Sequence, residues 1–165
     1  MAPSGNKLEV TTPSDREIAS TRIFDAPREL VFEAHSSCEH MSNWWGPRRY
    51  EVSSCEMDFR PGGTWRIVHK GSEGEIPAFR GEFREIVRPE RIVWTFEWEG
   101  MPGHVSVQTA TFEEHDGKTV LTATVVFDSV EDRDGMLESG MESGASETYD
   151  RLDEYLEVLK GGEGG

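Results

Sequence analysis

Few side chains in this chain have both the type and the setting for chemistry. Glu82 and Glu85 lie on one strand-like segment, and Glu97 and Glu99 on the next. Paired carboxylates work as acid and base when burial splits their pKa values. Alternation, however, puts Glu97 on the face opposite Trp94, Phe96 and Trp98, which predicts solvent exposure. Arg60 and Arg80 read as surface ion-pair partners rather than ligand clamps. His35, Cys38 and His40 have metal-ligating types, but their spacing fits no standard zinc module and no distal pair completes four ligands, so no metal is expected. His69 and His104 have the pKa range to supply a proton or a hydrogen bond to a pocket, against the plainer reading of strand-end surface histidines. The serine of Gly140-Met141-Glu142-Ser143-Gly144 falls one position late for a nucleophile elbow. Neither a phosphate-cradling loop nor a dinucleotide fingerprint occurs, and no cofactor is expected.

The strongest pattern is aromatic. Trp94, Phe96 and Trp98 sit two apart, so an extended backbone puts all three on one face, and Trp65 and Ile67 repeat the spacing upstream. With Phe83 they suit the concave wall of a sheet around an apolar space. The plainer reading is core packing against Tyr149, Leu152 and Leu156, since burying one large apolar side chain is worth roughly 1.5–3 kcal/mol. Trp44-Trp45-Gly46-Pro47 reads either as a lid over such a space or as a seal between helix and sheet. Adjacent rings on one helix do not both point inward, so one packs and the other is partly exposed.

These residues need elements to hold them. Residues 16–24 predict a first strand. Asp25 offers an N-cap, Pro27 fits an opening helical turn, and a second short helix is expected over about 38–44. Segments 50–59, 63–70, 78–88, 91–99, 104–114 and 118–128 are rich in β-branched and aromatic residues and are mostly separated by Gly, Pro or Asp-Gly breaks. They predict an antiparallel meander, with Asp116-Gly117 as its clearest hairpin turn. Ser129-Val130-Glu131-Asp132 opens a helical stretch. Ala145, Thr148, Tyr149, Leu152, Leu156 and Leu159 follow helical spacing, with a break expected near Gly135 or Gly140. The fold class is therefore α+β: one domain over 15–160, with a flexible N-terminus over 1–14 and a flexible tail over 161–165.

Composition narrows the partners. The chain of 165 residues carries 17 Lys+Arg against 32 Asp+Glu, a formal net charge of −15. Nucleic acid and anionic membrane surfaces are repelled on average. Cys38 and Cys55 are too few for a disulfide framework. One bridge is possible, but two reduced thiols are expected. The absence of a long apolar run and of a secretory-type start predicts a soluble, cytoplasmic protein.

An ordered set of short motifs adds to this reading. Arg22-Ile23-Phe24-Asp25-Ala26-Pro27 with Val31 is followed by Trp44-Trp45-Gly46-Pro47 and Arg60-Pro61-Gly62-Gly63-Thr64-Trp65. Gly81-Glu82-Phe83, Pro89-Glu90-Arg91-Ile92-Val93 and Gly140-Met141-Glu142-Ser143-Gly144 complete it. Over about residues 15–160 the set resembles the START-like, birch-pollen-allergen-type superfamily (SRPBCC), in the branch named after the activator of heat-shock protein 90 ATPase. The resemblance implies a helix-grip fold: a curved seven-stranded antiparallel sheet wrapped around a long C-terminal helix, with two short helices between the first two strands and a cavity between sheet and helix. It also implies binding of lipids, polyketides or other apolar molecules, and in a few relatives cyclisation or dehydration of what is bound. The eukaryotic activators carry an additional chaperone-binding domain, for which this chain is expected to have no room.

The expected function is carriage or sensing of a small hydrophobic molecule by Trp44, Trp65, Ile67, Phe83, Trp94, Phe96, Trp98, Tyr149 and Leu152, oriented by His104 or Gln108. A cyclase, dehydratase or hydrolase in the same chamber is the second reading and needs a buried acid or base among His69, His104 and Tyr149. A co-chaperone-like interaction module, with a protein partner or a homodimer, is the third.

Overall fold

The computed structural model describes residues 7–164. Its elements, in chain order, are β1 (Glu9–Thr11), β2 (Glu17–Phe24), α1 (Arg28–Glu33), α2 (Cys38–Met41), β3 (Tyr50–Met57), β4 (Thr64–Gly71), β5 (Ala78–Val87), β6 (Arg91–Trp98), β7 (Ser106–His115), β8 (Lys118–Val126), α3 (Val130–Glu138) and α4 (Met141–Gly164). The strands form one antiparallel sheet in the order β1-β2-β8-β7-β6-β5-β4-β3. Short Gly-, Pro- or Asp-rich turns let β3 to β8 pair with their sequence neighbours. The two short helices carry the chain from β2 to the far edge, where the meander begins. Asp116 and Gly117 turn β7 into β8 with φ of 54° and 79°, the positive values a tight hairpin demands.

Several expectations are corrected. The sheet has eight strands, not seven, because β1 pairs with β2 inside the segment expected to be frayed (Glu9 opposite Thr21). Backbone pairing to an existing edge orders those residues although they lack an apolar pattern. Helix α4 continues through Gly164, so residues 161–164 extend a helix rather than form a tail; residues 1–6 and 165 lie outside the described residues. Pro27, not Asp25, is the N-cap of α1, and it caps without a side-chain bond. Helix α2 ends at Met41, short of the expected residue 44. Cys38 and Cys55 form a disulfide between α2 and β3, with Cα atoms 5.8 Å apart, in place of two reduced thiols.

The core is graded along α4. Phe24, Val31, Phe32, Phe112, Leu121, Leu152 and Leu156 are all at most 2% exposed, so the C-terminal half of the helix sits on tightly filled apolar structure. Towards its N-terminal half the facing side chains shrink. Ser20, Ala123 and Ala110 lie opposite one another in register across β2, β8 and β7, while α4 presents Gly144, Ala145 and Thr148. Close packing fails where both surfaces are small. The bend between α3 and α4 falls at Gly140, whose φ of 84° suits glycine.

Candidate functional site

That mismatch leaves a cavity of about 530 Å³ between the sheet and the N-terminal half of α4, within the usual size range of small-molecule sites. One register row builds much of its floor: Val125, Gln108, Trp94 and Phe83 lie opposite one another across β8, β7, β6 and β5. Trp65, Ile67 and His69 of β4 extend the wall, and Phe79 and Phe96 stack at 5.3 Å beside them. Met136 of α3 and Met141 of α4 meet the cavity from the helical side. No Asp, Glu, Lys or Arg lines it among the described residues.

The Trp44–Pro47 segment closes one side. Trp44 is 2% exposed, and its indole Nε1 donates to the Ala34 carbonyl at 2.9 Å. Trp45 is half-buried and packs edge-on to Trp65 and Phe79, with centroids 6.2 and 5.5 Å away. Both rings line the cavity, Trp44 as a pinned wall and Trp45 as a cover. Arg151 of α4 holds this segment in place: one guanidinium nitrogen donates to the carbonyls of Gly46 (2.8 Å), Pro47 (3.3 Å) and Tyr50 (3.5 Å), and the other to that of Asn43 (3.4 Å). Gly46 sits at φ 104°, and a β-carbon there would run into the His69 ring.

Polar groups are sparse and mostly neutral. His35 is 8% exposed, lies against Trp44 and Phe112, and donates Nδ1–H to the Val31 carbonyl at 2.8 Å. Desolvation lowers its pKa to about 4, only partly offset by that backbone bond. His69 is 3% exposed and stacks on Tyr50 at 5.5 Å, and its buried Nε2 has no hydrogen-bond partner. Its pKa also falls to about 4, first from desolvation. The nearby Trp45 backbone opposes that shift, though no hydrogen bond of good geometry joins the two, and the charge of Arg151 reinforces it. The Tyr149 phenol, in edge contact with Phe24 at 5.9 Å, is pushed up to about 12 by desolvation, against the pull of Arg22 and Ser20. Arg22 is 4% exposed, is spent on Asp150 (2.9 Å) and Asp153 (3.6 Å), and does not line the cavity.

Of the residues singled out in the sequence, Trp44, Trp65, Ile67, Phe83, Trp94, Phe96, Trp98, Gln108 and Tyr149 line the cavity. Trp98 does so from the rim, 43% exposed and folded over Gly100. Leu152 is not among the lining residues; it is fully buried in the filled half of the core. His104 is displaced outright. It precedes β7, stands on the exterior and pairs with Asp132 of α3 at 2.9 Å, which raises its pKa. The glutamates face outward as expected: Glu97 binds Arg80 at 3.0 Å and Glu99 binds Arg66 at 2.7 Å. His35 and Trp45 were not among the predicted ligand contacts. Both carry a signal: His35 stands in the turn just past α1, four residues after the buried Val31, and Trp45 precedes a glycine that must leave room for another ring.

Sheet order, terminal helix and intervening cavity define an α+β protein consistent with the START-like (SRPBCC) class. The family model for Activator of Hsp90 ATPase homolog 1-like protein matches residues 25–157, and the chain belongs to that family. A Rhodobacter sphaeroides protein has the same fold at TM-score 0.87 and 24% identity, over 93% of this chain and 99% of that one. A Mycobacterium smegmatis protein aligns at TM-score 0.79 and 26% identity, over 88% and 93% of the two chains. An AHSA1 protein from Silicibacter pomeroyi aligns at TM-score 0.71 and 21% identity, over 87% and 99%. No curated protein matches the chain.

Proposed function

We propose that the protein binds a small hydrophobic molecule between its sheet and α4, in a helix-grip arrangement, as a carrier or sensor. The observation that carries this reading is the cavity of about 530 Å³ with an almost wholly apolar, aromatic lining. A concave apolar surface gains little from water, and desolvating a ligand against Trp65, Phe83, Trp94 and Phe96 supplies affinity. Trp98 at the rim and the methionines of α3 and α4 form an adaptable edge. The net charge of −15 supports a role away from nucleic acid and anionic membranes. Titration of intrinsic tryptophan fluorescence with a panel of lipids and polyketides tests the reading. A saturable change with at least one member is expected, and a flat response across the panel contradicts it.

An enzyme in the same chamber is the second reading, favoured by the presence of His35, His69 and Tyr149 in the lining. Its weakness is that both imidazoles have pKa values near 4, and neither has a carboxylate beside it to hold a proton in transit. An interaction module needs an exposed apolar patch, and Trp44–Pro47 is the segment whose residue types could supply one. Trp44 and Gly46 are buried there, which leaves a homodimer or a protein partner with less support.

A further inference from the structure

We propose that the cavity selects an uncharged ligand carrying a hydroxyl or N–H donor, and that His35 Nε2 is the acceptor that reads it. This rests on the cavity being a ligand site, as proposed above, and goes beyond it by naming the recognising atom and the ligand's polarity.

The tautomer follows from one contact. A carbonyl only accepts, so the 2.8 Å bond from Nδ1 to the Val31 oxygen places the proton on Nδ1. Nε2 then carries a bare lone pair, and no described group donates to it. The ring is held by Trp44 at 4.8 Å and Phe112 at 5.2 Å and cannot swing away to find water. His35 lines the cavity and is more than nine-tenths buried. Burial keeps it neutral at pH 7, so it remains an acceptor there. A fixed acceptor in a largely apolar wall recognises a donor and discriminates against isosteres that lack one. His69 Nε2, also without a partner in the lining, is the other imidazole acceptor, and the His35 variants tell the two apart.

Charge is excluded for a separate reason. A carboxylate or phosphate inside the cavity would need a cation, and the nearby guanidinium groups are committed elsewhere. Arg22 is held by Asp150 and Asp153 through its two terminal nitrogens; its Nε–H has no partner, but the residue does not line the cavity. Arg151 is held by the carbonyls of Asn43, Gly46, Pro47 and Tyr50. A buried ion left without a partner is strongly disfavoured.

The test compares 1-hydroxypyrene, 1-methylpyrene and 1-pyrenecarboxylate on the full chain, read by energy transfer from tryptophan. The hydroxyl compound is expected to bind roughly five- to tenfold more tightly than its methyl isostere, the size of one neutral hydrogen bond, and the carboxylate most weakly. In His35→Asn, which keeps a donor for Val31, and in His35→Phe, which keeps the ring volume, the preference should vanish while 1-methylpyrene binding persists. Equal binding of the hydroxyl and methyl compounds, a preference surviving both variants, or tightest binding of the carboxylate overturns the inference but leaves the cavity reading standing. Failure of all three probes to bind the wild-type chain overturns both. Ring nitrogen NMR of the wild type needs no variant: an unprotonated Nε2 at pH 7.5 that shifts with 1-hydroxypyrene but not with 1-methylpyrene is expected, and a protonated Nε2 refutes the proposal.

Discussion

His35 and His69 are buried imidazoles whose solvation is poor enough to hold both pKa values near 4. Unfolded, each titrates near 6.5, so between about pH 6.5 and 4 the unfolded chain binds more protons than the folded one. The stability associated with neutral burial is therefore intact above about pH 6.5 and is lost as pH falls towards 4. The loss is on the order of 3 kcal/mol per histidine at the limit. His104 has the opposite sign: its raised pKa favours the fold at lower pH, and that contribution fades as pH rises through the folded value. It is half-exposed and screened, so the buried pair should dominate. Urea midpoints should drop between pH 7.5 and 5, and less steeply in His69→Phe; an unchanged slope would show that His69 is not held neutral. At pH 7.5 the same variant should be neutral or slightly stabilising, because it removes a buried Nε2 that has no partner. Gly46→Ala should destabilise by more than about 1 kcal/mol, since the φ of 104° and the crowding against His69 both penalise a side chain; a wild-type urea midpoint would contradict the tight contact. Misreading His104 and overlooking His35 have related causes. Strand alternation carried back to residue 104 runs two residues before β7 begins, and His35 is weighed only with Cys38 and His40 as a metal site, which is not expected, so its place in the turn after α1 goes unread.

At the scale of elements, the void exists because α4 and three strands bring small side chains together. Ala145→Phe should fill it. The expected result is a melting temperature equal to or above that of the wild type, with apolar probe binding abolished; a clear fall in melting temperature would mean that the space is already packed. The bridge between α2 and β3 closes a loop with a sequence separation of 17. Replacing Cys38 with Ser should cost about 3 kcal/mol on loop-closure grounds, read by urea denaturation of the oxidised protein; if alkylation and mass analysis find two free thiols, the bridge does not form. The elements themselves were largely readable. Pro and Gly punctuation marked the meander strands to within a few residues, and Gly140 marked the bend before α4. Strand β1 was not readable, because its order comes from backbone pairing with β2 and not from an apolar pattern. The Cys38–Cys55 bridge was open in the sequence because nothing there brings α2 onto β3.

On the scale of the whole molecule, stability and proposed binding occupy different halves of one interior. The C-terminal half of α4 closes a filled core around Phe32, Phe112, Leu152 and Leu156, while the N-terminal half roofs a space that remains open. Alternation in the strands and spacing in the helix revealed which faces turn inward. The size of the space was not legible, because it depends on which small residues fall opposite one another in register, and that is fixed only when β2 pairs with β8. The most direct measurement is native mass spectrometry of the wild-type chain and Ala145→Phe after incubation with the apolar panel and removal of free compound. If the cavity is the binding site, the wild type carries a non-covalent adduct at one per chain and the filled variant does not. Bare mass for both, or the same adduct on both, would contradict it.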